Sequence, residues 1–141
     1  MHEYRVRVYE DRTEWLNLDG ARHRVDGPAV EWANGSTEWY VNGKRHRADG
    51  PAFEWHDGYR AWYVNGKLHR ADGPAVEYAS GSKDWRVNGE RHRVDGPAVE
   101  WASGGKEWYQ NGEKLTEAEF KAKADIHIGR GTTIDGTTDS L

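Results

Sequence analysis

His23, His46, His69 and His92 stand 23 residues apart, and the chain's four prolines, Pro28, Pro51, Pro74 and Pro97, keep the same interval. Arg24, Arg47, Arg70 and Arg93 follow the histidines, and Asp26, Asp49, Asp72 and Asp95 complete the same register. No other property restricts the fold as much. A fixed period of this length belongs to a stacked array, in which one unit cannot bury its apolar side alone and its neighbours do so for it. The units run 9–31, 32–54, 55–77 and 78–100, and a fifth, shorter one occupies 101–113. Their consensus is W-x-x-G-S-x-E-W-Y-V-N-G-K-x-H-R-x-D-G-P-A-V-E.

Each unit reads as short strands between tight turns. In "PAVEW" (97–101) Val and Trp are two apart and point to one face of a strand. "ANGST" or "ASGGK" is a turn, and "EWYV" is a second strand. Asn-Gly then signals a hairpin, because both central residues of a type I′ turn need positive φ. "KRHR" returns as a third strand, and "ADGP" ends it with an Asp that bonds its own backbone and a Pro that cannot donate to a ladder. The fold class predicted is all-β, an elongated array of antiparallel hairpins.

One aromatic face is expected to collect Trp32, Trp55, Tyr78 and Trp101 with Trp15, Trp39, Trp62, Trp85 and Trp108, joined by Val30, Phe53, Val76 and Val99. "HEYRVRVY" at the start alternates and predicts an N-terminal edge strand within 1–8, whose arginines discourage pairing with another molecule. The first repeat, 9–31, departs from consensus around "WLNLDGARHR", as capping units of arrays do. At the other end Thr116 and Glu119 form a capping box, which predicts a short helix over 117–124 within a capping segment, 114–125. Residues 126–141 are rich in Gly, Thr and Asp and read as a flexible tail, with "IHI" as a candidate edge strand.

Composition narrows the function. The net charge of −4 argues against bulk binding to nucleic-acid phosphates. Cysteine is absent, which removes disulfides, thiolate metal sites and thiol nucleophiles. No apolar window approaches a membrane span and no signal-peptide pattern opens the chain, so a cytoplasmic setting is expected.

The pattern "WYVNGKRHRADGPAVEW" resembles the MORN repeat family over residues 9–113, with its aromatic-x-N-G-K core and D-G turn. The H-R-x-D-G-P-A segment is similar to "HRxDGPA" repeat proteins of bacteriophages and bacteria, some of which share the "NGxxLTExEF" ending found at 111–120. The resemblance implies a binding or assembly module without enzymatic activity. It also implies a phage or bacterial setting, with the host cytoplasm as the compartment of a phage-encoded protein.

Among candidate sites, the histidines and arginines of His46–Arg47, His69–Arg70 and His92–Arg93 form parallel rows able to clamp a small anion. Their self-pairing with the carboxylates of Glu31, Glu54, Glu77 and Glu100 and the aspartates is the structural reading, and the better one. Each histidine is equivalent to three others, which argues for scaffolding over a singular catalytic site. The spacing supplies no metal ligand set, and no cofactor is expected. The slot of Tyr40, Tyr63, Arg86 and Tyr109, alternate to Trp and Val, reads as exposed and is the preferred surface for contact with another protein. The function expected is a non-enzymatic protein-binding module, with a phage inhibitor of a host or defence protein as the form the resemblance suggests. The alternative is a binder of a nucleotide-like molecule or glycan.

Overall fold

The computed structural model describes residues 3–132. An eleven-stranded antiparallel sheet forms the body, and its strands follow one another in chain order. Arg5–Val8 and Arg12–Leu16 open it, paired from Arg5 opposite Leu16 to Val8 opposite Thr13. Each repeat boundary then adds a pair: Val30–Trp32 with Thr37–Glu38, Phe53–Glu54 with Arg60–Ala61, Val76–Glu77 with Lys83–Asp84, and Val99–Glu100 with Lys106–Gln110. Glu113–Leu115 closes the order. Neighbouring units continue the ladder, as where Glu38 lies opposite Phe53.

The first three Asn-Gly hairpins do not extend this sheet, whereas the fourth, at Asn111-Gly112, forms its closing pair. The first three leave it as separate two-stranded ribbons, Tyr40–Val41 with Lys44–Arg45, Tyr63–Val64 with Lys67–Leu68, and Arg86–Val87 with Glu90–Arg91. The turns are of the expected kind: Asn42 and Gly43 have φ of 48° and 81°, and Asn65, Asn88 and Asn111 repeat the left-handed conformation. The other turn closes at Trp32, whose N–H donates to the Ser36 carbonyl at 2.9 Å, with Gly35 at φ 92°.

The interior is thin. Ala29, Ala52, Ala75 and Ala98 are fully buried, with Val30, Val76 and Val99 beside them. The small alanine slot lets strands and rings approach closely, so the array is held by many shallow contacts rather than by one thick core.

Register decides what each face carries. A single file crosses the sheet from Glu14 through Val30, Glu38, Phe53, Ala61, Val76, Asp84 and Val99 to Glu107. Glu38, not Trp39, therefore shares a face with Val30 and Trp32. The expectation of one common aromatic face is corrected: Trp32, Trp55, Tyr78 and Trp101 lie on the face of this file, and Trp15, Trp39, Trp62, Trp85 and Trp108, each one residue past a file position, on the other. A period of two makes faces depend on register by a single residue, and the sequence does not reveal which of Glu38 or Trp39 pairs with Val30.

The helix spans Glu117–Thr132, longer than the predicted 117–124. Thr116 N–H donates to Glu119 Oε1 at 2.9 Å and Glu119 N–H to Thr116 Oγ1 at 3.1 Å, so the capping box is as expected. Residues 126–132, read from sequence as tail or edge strand, are helical. Once nucleated, a helix adds a bond per residue and carries single glycines such as Gly129 and Gly131 at about 1 kcal/mol each. Residues 133–141 of the expected tail lie outside the described residues. Phe120 packs on Trp108 with ring centroids 6.4 Å apart, which seats the helix on the last hairpin.

Candidate functional site

The His-Arg segment of each unit braces the hairpin of the next. His23 Nδ1 accepts the N–H of Asn42 at 2.8 Å, Arg24 N–H donates to the Tyr40 carbonyl at 3.1 Å, and Gly43 N–H donates to the Arg22 carbonyl at 2.8 Å. The same acceptor role recurs for His46 with Asn65 at 3.0 Å, His69 with Asn88 at 3.0 Å and His92 with Asn111 at 2.9 Å. Accepting through Nδ1 places the imidazole proton on Nε2 in this arrangement. The histidines thus satisfy turn N–H groups that the Asn-Gly geometry leaves without a ladder partner.

The arginines are equally committed. Arg47 lies 4.0 Å over the Trp39 ring, and donates to the Pro51 carbonyl at 3.1 Å and to Asp49 Oδ1 at 3.1 Å. Arg70 repeats this over Trp62 at 3.8 Å and Arg93 over Trp85 at 3.9 Å. Glycine in the D-G-P turn follows from this packing: a Cβ at Gly50 would stand 2.9 Å from the Arg47 guanidinium carbon. The structure brings His46, Arg47, His69 and Arg70 together along one open groove of about 700 Å³, walled by Trp62 and Val64. His92 and Arg93 line an equivalent groove one unit on.

The slot of Tyr40, Tyr63, Arg86 and Tyr109 is not the exposed surface expected. Tyr40 is only 8% exposed, and Tyr63, Arg86 and Tyr109 are half-buried. The side chains of Tyr40, Arg86 and Tyr109 turn inward to a polar clamp that the residue pattern does not announce, and Tyr63 packs on Phe53. Glu38, 4% exposed, accepts from Trp32 Nε1–H at 2.7 Å and from the Tyr40 hydroxyl at 2.8 Å, with Arg22 of the preceding unit at 3.4 Å. Glu107 accepts from Trp101 Nε1–H at 2.8 Å and the Tyr109 hydroxyl at 3.1 Å. Glu14 receives Arg12 at 2.8 Å and Arg22 at 3.0 Å. Asp84 receives Arg86 at 3.2 Å and Arg91 at 3.5 Å. There Arg86 occupies the tyrosine slot while Leu68 occupies the slot of Arg22, so the cation has changed position but the clamp remains closed.

These environments move the titrating groups. Burial disfavours ionised Glu14, but the hydrogen bonds of Arg12 and Arg22 outweigh it and hold the carboxyl below its ordinary range. The indole of Trp101 does most to lower Glu107, against weaker opposition from burial. Burial raises the Tyr40 phenol.

Unit 55–77 differs. Ala61 stands where the clamp carboxylate would be, Leu68 replaces the arginine, and Tyr59 replaces the buried serine of Ser36 and Ser82. Phe53, in place of valine, lies opposite Ala61 and fills the volume. Its ring stacks on Trp55 at 5.7 Å and 7°, and meets Tyr63 at 5.8 Å. Tyr59 meets Tyr78 edge-on at 5.7 Å.

The exposed aromatic row consists of Trp55, Tyr78 and Trp101, expected in the core, and Tyr9, outside that expectation. Tyr9 is 39%, Trp55 36%, Tyr78 42% and Trp101 42% exposed, and Trp32 is half-buried between the first two. Among the described residues no group of three metal-ligating side chains assembles, and no helix is long and apolar enough to cross a membrane. No protein-family model matches the chain, and no curated sequence shows significant similarity to it.

Proposed function

We propose that the chain is a non-enzymatic, MORN-like protein-binding module whose contact surface is the aromatic row of Tyr9, Trp32, Trp55, Tyr78 and Trp101. One observation carries the reading: large rings recur on one face along the array and, Trp32 apart, stay more than a third exposed, which leaves apolar area for a partner to cover. Aromatic rings with polar surroundings are the composition of protein interfaces. The histidines and arginines support the non-enzymatic reading, because each is occupied by a bond that holds neighbouring units together. The resemblance to phage repeat proteins extends the proposal to an inhibitor of a host or defence protein acting in the host cytoplasm.

The test is affinity capture from a bacterial lysate with the wild type and a Trp55→Ser/Tyr78→Ser variant. Loss of a specific retained protein in the variant, shown by circular dichroism to be folded, is the expected result. Equal retention by both proteins overturns the assignment of this face.

A second reading rests on the groove of His46, Arg47, Trp62, His69 and Arg70, whose Nε2–H donors face no protein acceptor among the described residues. A small anionic or glycan ligand seated there would raise the unfolding midpoint by mass action. A thermal-shift panel of nucleotides and glycans with no upward shift removes it.

A further inference from the structure

Unit 55–77 lacks its own clamp carboxylate but keeps the donors that elsewhere converge on one. In units 32–54 and 101–113 the slot-one tryptophan donates Nε1–H to the carboxylate of Glu38 or Glu107, at 2.7 and 2.8 Å. With Ala61 in that slot, the Trp55 indole N–H has no acceptor among the described residues, and the ring is 36% exposed. Arg45 is the equivalent of Arg22 and Arg91, which pair with Glu38 and Asp84. Arg45 itself makes no ion pair among the described residues. Its guanidinium lies 4.4 Å over Phe53 and 5.2 Å over Tyr63, and bonds the Tyr63 hydroxyl at 3.2 Å. Arg45 is exposed.

We propose that this unit docks an acidic segment of a partner protein, one carboxylate taking the Arg45 guanidinium and a neighbouring oxygen taking the Trp55 Nε1–H. The inference rests on the protein-binding reading and names the chemistry of its partner. Phe53 occupies the position of the missing side chain, so the incoming carboxylate approaches from solvent, across the edge of the Arg45–Phe53–Trp55 stack. The stack is partly desolvated, where a charge-assisted hydrogen bond is stronger than on an open surface. Tyr78, at 42% exposure, offers the adjoining ring to an apolar residue of the same segment. A carboxylate is favoured over nucleic-acid phosphate because the same slots in the sister units, with the same indole donor, are built around carboxylates.

The experiment is calorimetric titration of the full chain with poly-L-glutamate at low ionic strength, beside poly-L-glutamine and polyuridylate. Two variants accompany the wild type. Phe53→Val/Ala61→Glu restores the sister-unit residues and lets the protein satisfy Arg45 and Trp55 internally. Arg45→Gln removes the cation. The expected result is saturable binding of poly-L-glutamate to the wild type, weakened about tenfold or more in both variants. Circular dichroism should show both variants folded, and consensus restoration makes the double variant informative even if Arg45→Gln is unstable. No binding by the wild type, undiminished binding by the double variant, equal binding of poly-L-glutamine, or tighter binding of polyuridylate overturns the proposal. Lysate capture that depends on Trp55 and Tyr78 but not on Arg45 would sink the acidic-partner inference and leave the protein-binding reading standing.

Discussion

Units 32–54 and 55–77 share one backbone and differ in what fills it. Both have the Asn-Gly turn at positive φ, the histidine brace and the arginine stacked on tryptophan at 4.0 and 3.8 Å. In the first, the face of the sheet is closed by a buried carboxylate that ties together Trp32, Tyr40 and Arg22. In the second, aromatic packing of Phe53, Trp55, Tyr59 and Tyr63 takes its place. The repeat frame is therefore independent of how the clamp is filled. Bonds between units set the frame, and the clamp slot is free to vary so long as volume and charge are balanced.

The largest expected effect tests that balance. Glu38→Ala should destabilise by roughly 2–4 kcal/mol, because it leaves a buried hydroxyl and an indole N–H without their acceptor. At the equivalent position Ala61 has Phe53 opposite it. Denaturant unfolding of Glu38→Ala with and without Val30→Phe, at the residue paired opposite Glu38, measures how much ring packing recovers. A single-variant cost below about 0.5 kcal/mol, well under the loss of about 1–3 kcal/mol expected when a buried polar group is orphaned, would show that the clamp contributes little.

The shared brace comes next. His46→Ala should cost about 0.5–1.5 kcal/mol, the net worth of one hydrogen bond, because the exposed Asn65 N–H can turn to water. His46→Asn, whose Oδ1 can stand where Nδ1 does, should recover part of it. Equal losses in both variants would mean that ring packing, not the acceptor, is what the position provides.

Phe53→Val/Ala61→Glu gives the second clamp slot the residue pair of the first, Val30 and Glu38, and should change stability by less, about 0.5–1 kcal/mol upward. Destabilisation would show that the two fillings are not interchangeable.

The smallest effect is on pH dependence. Glu14 and Glu107 have folded-state pKa values below the ordinary glutamate value of about 4.3. The unfolded chain takes up protons first as pH falls, so their contribution is complete above that value and is lost as pH drops through the lowered folded values. Glu107→Gln should make the acid limb of an unfolding-midpoint profile shallower. An unchanged limb would contradict the role assigned to Glu107.

The period, both turns, the hairpin array and the capping box can be read from single letters, since Asn-Gly, D-G-P and Thr-x-x-Glu act locally. The placement of the faces cannot. It depends on whether Val30 lies opposite Glu38 or Trp39, which is fixed by pairing across a turn. That one step moves Trp39 off the face of Val30 and brings Tyr40 onto it, beside Glu38. The clamp has a signal in the sequence: the acidic residue before each second tryptophan, at Glu14, Glu38, Asp84 and Glu107, with Ala61 as the exception. The signal is easily overlooked, because acidic letters on a strand usually denote a solvated face.

The brace has a direction. His23 supports the turn at Asn42, and His92 the turn at Asn111, so support always comes from the residue closer to the amino terminus. A chain leaving the ribosome amino end first thus meets, at every hairpin, an imidazole already emerged and waiting. The array can lengthen by one tile at a time, each closing over a separation of 19 residues, without having to wait for anything downstream.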